Sequence, residues 1–329
     1  MSLLPREGPA PLDPQAADLL ARIARLGRPP YWQLGVTAAR ELYQKAAGVL
    51  DIPLQPIGRS RMLDIPVGEG ACIQSRLLTP QSLLEADAPT PLIIYCHGGG
   101  FTVGSPDSVE PVCRMLANQA GCQVLSLAYR LAPEHPFPTA AEDVWAAWEW
   151  TMAHAHCLKV DPARIVGMGD SAGGTLTLQA AIRARDAGLA LQGQVLIYPG
   201  ACAWQDTASH RVYGQGYLLD TRTIQWFFDQ YVPHDHQRLD WRFAPLECPD
   251  LSGLPPTLLQ LAECDPLVDE GLQLSHRLQE SGVKVDTRVY PGMIHAFYNM
   301  GGALRQARQA HADTVAWLRR LWGSQAGKD

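Results

Sequence analysis

The stretch GMGDSAGG, residues 167–174, decides how the rest of this 329-residue chain is read. Ser171 has a glycine two positions to either side, the G-x-S-x-G spacing of a nucleophile held on a sharp strand-to-helix turn. By itself the spacing is weak: at ordinary Gly and Ser frequencies a chain this long has roughly a one-in-ten chance of containing it. Its surroundings carry more. RIVGMG from Arg164 reads as a buried strand and residues 172–187 as a helix, so Ser171 falls at the turn between them, where Gly169 and Gly173 remove side chains that would collide. The helix aims its N-terminal amides at the same point, favouring negative charge there. A serine that merely caps the helix would occupy the same position, so partners elsewhere must decide.

Strand signals recur along the chain with helical stretches between them. Residues 61–67 and 71–79 flank Gly68-Glu69-Gly70 and read as an antiparallel hairpin. Buried runs follow: PLIIYC from Pro91, CQVLSLA from Cys122, RIVGMG, QVLIYP from Gln194, TLLQLA from Thr257 and KVDTRVYP from Lys284. Helical periodicity fills residues 109–120, 140–154, 172–187, 270–281 and about 304–322. This alternation predicts an α/β fold, an eight-stranded mostly parallel sheet with helices on both faces. Two segments fall outside it, residues 1–58 and the aromatic-rich residues 203–244. Both are expected to lie over the carboxyl ends of the strands as a helical cap, leaving residues 59–202 and 245–329 as one catalytic domain.

Composition closes off other classes. Hydrophobic residues make up 47% and charged residues 18%, which suits a folded soluble enzyme and not a disordered chain. The net charge of −6, with no Lys/Arg cluster, argues against nucleic acid as a partner. No apolar run reaches the ~18 residues of a membrane span, and MSLLPREGPAPLDPQ lacks the pattern of a secretory signal; a cytoplasmic location is the expectation. The eight cysteines are scattered singly, without C-x-x-C pairs or neighbouring histidines, so buried free thiols are expected and no metal or cofactor.

A serine nucleophile needs a histidine base, itself oriented by a carboxylate, and in this class of sheet the chain order is Ser, acid, His. Of ten histidines, only His276, His295 and His311 follow a suitable acid. His276 and His311 fall within amphipathic helices, where solvated faces suit them; His295 stands in GMIHAF just after the last strand. Asp265 emerges after TLLQLA and opens DPLVDEG, with an N-cap role, Asp269 or Glu263 as the alternatives. HGGGF, residues 97–101, directly follows the strand LIIYC. Its glycines let backbone N–H groups approach a developing oxyanion, which makes Gly99, Gly100 and Ala172 the candidate donors, with His97 holding the loop.

Four motifs therefore stand in order: HGGGF, YRLAPEHPFP at 129–138, GDSAGG at 169–174, and DPLVDEG with GMIHAF. Together they resemble the hormone-sensitive-lipase-like family of α/β-hydrolase esterases in its bacterial GDSAG branch, from about Pro91 to Phe297. GYLLDTRTIQWFFDQY at 216–231 is similar to that family's cap. The resemblance implies an α/β-hydrolase fold and a carboxylesterase acting on short- to medium-chain esters without a cofactor, with Ser171, Asp265 and His295 catalytic and Gly99, Gly100 and Ala172 forming the oxyanion hole. The same machinery on an amide or lactone, or a binding protein of this fold, is the alternative. Phe101, Trp204, Trp226, Phe227 and Phe297 are candidate pocket walls, although a single aromatic more often packs in a core. Pairing of the last strand and helix would give a homodimer. The family usually has glycine after the catalytic histidine, where this chain has Ala296, and Asp before Tyr-Arg, where it has Ala128.

Overall fold

The structure is a computed structural model describing residues 8–189 and 191–323. Residues 1–7 and 324–329, the outer ends of the expected cap and catalytic segments, lie outside the described residues, as does Ala190. Its strands are β1 (Arg59–Pro66), β2 (Cys72–Thr79), β3 (Thr90–Cys96), β4 (Gln123–Leu127), β5 (Val160–Asp170), β6 (Gly193–Ile197), β7 (Thr257–Cys264) and β8 (Val285–Ile294). The helices are α1 (Pro14–Arg25), α2 (Val36–Ala46), α3 (Glu110–Ala120), α4 (Thr139–Ala153), α5 (Ala155–Leu158), α6 (Ala172–Asp186), α7 (Ala208–Val212), α8 (Thr221–Tyr231), α9 (Val268–Glu280) and α10 (Arg305–Gly323).

The strands form one sheet in the order β1-β2-β4-β3-β5-β6-β7-β8. β1–β2 and β2–β4 pair antiparallel and all other neighbours parallel, the eight-stranded, mostly parallel sheet expected from the sequence. The hairpin closes because Glu69 and Gly70 both take left-handed backbone, φ 62° and 71°; the non-glycine member is the strained one. From β3 the chain steps to β4 on one side, then crosses back to β5 and continues to the other side. That reversal puts the topological switch point at the carboxyl ends of β3 and β5, the place where open α/β sheets take their ligands.

Every residue of β3 is buried, as a central strand covered on both faces requires. Its side chains alternate: Ile93 and Tyr95 join a core with Val112 and Leu116 of α3 and Leu318 of α10. Leu92 and Ile94 join another with Val144 of α4 and Leu176 of α6. Each fully buried Ile or Leu contributes about 1.5–3 kcal/mol. β1, at the sheet edge, exposes most of its residues instead.

The N-terminal segment and residues 203–244 meet each other. Asp13 caps α1 by accepting from Gln15 N, with Pro14 in the first turn; Asp220 caps α8 through Thr223 N. Ala39 of α2 packs against Val103 and Phe227, the Tyr31 ring lies 6.4 Å from Trp226, and the Arg222 guanidinium stands 3.6 Å above the Trp32 ring. No helix of the described residues is long and apolar enough to cross a membrane. All eight cysteines are free thiols, five of them buried and Cys72, Cys157 and Cys202 not.

Candidate active site

Ser171 follows β5 with φ 53° and ψ −124°, a strained conformation for a residue with a Cβ. Glycines permit it. A Cβ on Gly169 would sit 2.2 Å from Gly173 O, and one on Gly173 would sit 2.0 Å from Cys96 O, so the turn closes only because both are absent. Ser171 N donates to Ile197 O and its carbonyl accepts from Gly174 N, each at 2.8 Å. Ser171 occupies the N-cap position of α6, yet its side chain makes no capping bond. The hydroxyl points instead to His295, whose Nε2 lies 2.9 Å away.

The sheet register explains how His295 arrives there. Cys264 at the end of β7 pairs with Ile294 at the end of β8, so Asp265 and His295, the next residue of each strand, emerge side by side. Their contact is 2.7 Å from Nδ1 to Oδ2. The other carboxylate oxygen of Asp265 accepts from Leu267 N at 2.9 Å, which fixes the turn into α9. With Nδ1 donating to the buried carboxylate, Nε2 is left as the acceptor facing the hydroxyl, the tautomer a general base needs. Asp265 is fully buried and His295 nearly so, and the exclusion of water strengthens the pair.

The rival residues are engaged elsewhere. Glu263 accepts from Gly292 N, and Asp269 accepts from Ser209 N. His276 is exposed and pairs with Glu280. His311, expected on a solvated helix face, is buried: its Nε2 donates to Tyr298 O at 2.7 Å. The adjacent Gly301, which has no Cβ to fill the space, makes room for the ring.

Cys96 at the end of β3 pairs with Gly169 of β5, so the HGGGF loop begins beside the serine turn. Gly99 and Gly100 have φ 117° and 55°, and among the described residues their amides donate to no partner. Ala172, first in α6, has no preceding helical turn to bond. His97 is held inside the loop: its ring stacks on Tyr129 at 4.4 Å, its Nδ1 meets Gly98 O at 2.7 Å, and burial pushes its pKa down to about 4. The imidazole is therefore neutral and is engaged by Gly98 and Tyr129.

Asp170 and Glu270 were not among the expected site residues. The buried Asp170 carboxylate accepts from Tyr95 Oη, Gly98 N and Asn299 Nδ2. Burial raises its pKa while these bonds oppose the rise. Buried Glu270 takes the amides of Ala201 and Cys202 at 2.5 and 2.6 Å and faces His210 Nε2 at 3.5 Å, anchoring the start of residues 203–244 to α9; burial pushes it up to about 8. The DE pair of DPLVDEG was visible in the sequence, but nothing local pointed to its backbone partners.

The expected pocket aromatics separate. Phe227 lies directly against Gly100, where a Cβ would meet its ring at 2.2 Å, and Trp226 packs beside it at 5.2 Å. Phe101 stacks on Tyr231 at 4.1 Å within the core. Phe297 is fully buried between Tyr198 and Tyr290. Trp204 is 41% exposed and lines a cavity of about 430 Å³ with Asp206, Glu247, His276 and Arg277; Ser171, Asp265 and His295 do not line it.

A family model described as the alpha/beta hydrolase fold matches residues 93–299, more than half of the chain. An ethyl acetate hydrolase of Pseudomonas putida is 40% identical over 247 residues, covering 74% of this chain and 77% of that protein. The carboxylesterase NlhH of Mycobacterium tuberculosis is 37% identical over 276 residues, 82% of this chain and 83% of that one. The solved structure of an ester hydrolase from the metagenome of Lake Arreo, complexed with a derivative of bipyridine phosphonate, superposes with a TM-score of 0.89 at 35% identity, covering 95% and 99% of the two chains. By the family match and these relatives, the chain belongs to the hormone-sensitive-lipase-like family of α/β-hydrolase serine esterases.

Proposed function

We propose that the protein is a carboxylesterase that hydrolyses short- to medium-chain carboxylic esters through an acyl-enzyme on Ser171. The observation that carries the reading is the continuous chain Asp265 Oδ2···Nδ1 His295 Nε2···Oγ Ser171, with contacts of 2.7 and 2.9 Å, beside the unengaged amides of Gly99 and Gly100. His295 takes the hydroxyl proton as Ser171 Oγ attacks the ester carbonyl. The oxyanion of the tetrahedral intermediate is held by the amides of Gly99, Gly100 and Ala172. On collapse the C–O bond breaks, and His295 gives the proton to the leaving alcohol. Water then attacks the acyl-enzyme by the same relay, releasing the acid and restoring Ser171. Asp265 orients the imidazole and stabilises it while protonated.

Residues 1–58 and 203–244 act as the cap in this reading, supported by their mutual packing of Tyr31, Trp226 and Phe227 over Gly100. Phe227 and Trp226 thereby become the first walls of the acyl or alcohol pocket. The free thiols support a cytoplasmic location.

The test is a series of p-nitrophenyl esters of increasing acyl length, run with matched amides and lactones, together with phosphonate labelling. Rates that peak at short or medium chains and a label on Ser171 are expected. Faster turnover of an amide or lactone would move the reading to that bond. Failure of the folded protein to take the label on Ser171 would leave a non-catalytic binding protein.

A further inference from the structure

The Asp170 side chain is bonded to two loops besides the turn that carries it. Its Oδ1 accepts from Tyr95 Oη at 2.9 Å and from Gly98 N at 3.1 Å; its Oδ2 accepts from Asn299 Nδ2 at 3.0 Å. Gly98 immediately precedes the proposed oxyanion donors, and Asn299 lies four residues after His295 in the turn Phe297–Asn299, where its own amide donates back to Ala296 O at 3.1 Å. The approach is close: a Cβ on Gly98 would stand 2.5 Å from Asp170 Oδ2. With 3% of its surface exposed, Asp170 cannot exchange these bonds for water, and hydrogen bonds to a carboxylate are about twice as strong as neutral ones.

We propose that Asp170 is a positioning residue: through Gly98 and Asn299 it locks the oxyanion loop and the histidine loop to the turn bearing Ser171, so that the three parts of the site keep one spacing. The proposal rests on the acyl-enzyme reading above. A misplacement of about 1 Å between such parts costs on the order of 10²-fold in rate, so what Asp170 preserves is kcat. A residue that only buttressed the turn would alter the amount of folded protein and leave the turnover of each folded molecule unchanged.

Asp170→Asn keeps the shape but cannot satisfy all its neighbours. With its amide nitrogen toward Asn299, two donors face each other; flipped, the nitrogen faces the Gly98 N–H. The exchange Asp170→Asn with Asn299→Asp restores a donor opposite an acceptor. The experiment measures kcat and KM for a p-nitrophenyl ester, with active sites counted by phosphonate titration, in wild type, D170N, N299A and D170N/N299D. Expected are a 30- to 100-fold fall in kcat for D170N and about 10-fold for N299A, KM within threefold for both, and recovery to within about fivefold of wild type in the double variant. Unchanged kcat per titrated site in D170N and N299A would overturn the proposal, as would a folded double variant no faster than D170N. Should D170N or the double variant not fold, the N299A kcat alone decides in the same terms. If wild type itself takes no phosphonate on Ser171, it is the acyl-enzyme reading that falls; if wild type is labelled and turns over but the variants keep its kcat, only the role of Asp170 falls.

Discussion

His295 Nε2 lies 2.9 Å from Ser171 Oγ although 124 positions of chain separate the two residues. On the proposed roles, Ser171→Ala or His295→Ala lowers kcat for a p-nitrophenyl ester by roughly 10⁶-fold, and Asp265→Ala by on the order of 10⁴-fold. The double variant S171A/H295A is no slower than either single one, because the residues act as a unit. Steady-state kinetics on wild type and these four variants checks this, and a single variant that retains a tenth of the activity contradicts it.

Gly173→Ala tests the turn rather than the chemistry. Its new Cβ would fall 2.0 Å from the backbone oxygen of Cys96, which no side-chain rotation relieves. The variant loses about 3 kcal/mol or more together with activity, visible as a lower denaturant midpoint with an unchanged slope.

Ala296 holds the left-handed backbone, φ 64°, at the place where the resembling family usually has glycine. Ala296→Gly relieves about 1 kcal/mol of strain and gives back part of it as chain entropy. The expected result is a melting temperature equal to or slightly above that of wild type with kcat retained. Ala296→Val, β-branched at positive φ, melts lower. A substantial loss of stability in the glycine variant would contradict the strain argument.

Arg40 of α2 ties the N-terminal segment to two loops beside the site. Its Nε donates to Thr102 O, Nη2 to Ala132 O, and the fork grips Glu134 at 2.8 and 2.6 Å. Thr102 Oγ1 in turn donates to Gly100 O. Arg40→Ala is expected to destabilise the fold by about 1–3 kcal/mol and to increase proteolysis within the first 58 residues. Arg40→Lys restores little of this, since an ammonium cannot make the fork. Limited proteolysis with N-terminal sequencing is the measurement; equal cleavage in wild type and Arg40→Ala goes against the clamp.

Burial pushes His311 down to about 4 from its ordinary 6.5. The unfolded chain therefore binds this proton first, and the stability that neutral His311 contributes is lost as pH falls from about 6.5 to about 4, on the order of 3 kcal/mol. Raised carboxyls such as Asp51, pushed up to about 7, and Glu270, about 8, act in the opposite sense, but they are common to wild type and a His311→Gln variant. The difference in unfolding free energy between the two proteins should therefore shift in favour of the variant between pH 7 and pH 4.5. A difference independent of pH would show that the buried imidazole is not what titrates.

Much of the fold and of the candidate site was legible along the chain. The strand runs are continuous and apolar, and Gly68-Glu69-Gly70 marks its own hairpin, because local periodicity and turn chemistry act over a few residues. Ser171, HGGGF and His295 stand immediately after strand signals, so their place at one end of the sheet follows from where the strands stop. Less was readable where burial depends on distant partners. His311 has a helical position compatible with solvent until Tyr298 and Gly301 are brought beside it. Trp204, Phe297 and Phe227 are equally aromatic in sequence, yet only Phe227 lies against a glycine of the HGGGF loop.

The chain by itself determined an α/β sheet of eight strands and the order in which a serine, an acid and a histidine leave it, because these depend on patterns short enough to be local. Tertiary structure alone decided which acid meets the histidine, since the pairing of Cys264 with Ile294 brings Asp265 to Nδ1 while Glu263 and Asp269 are held by Gly292 and Ser209. It also decided what Asp170 touches. Contacts between residues far apart in sequence are set by register and close packing, which local propensity does not encode.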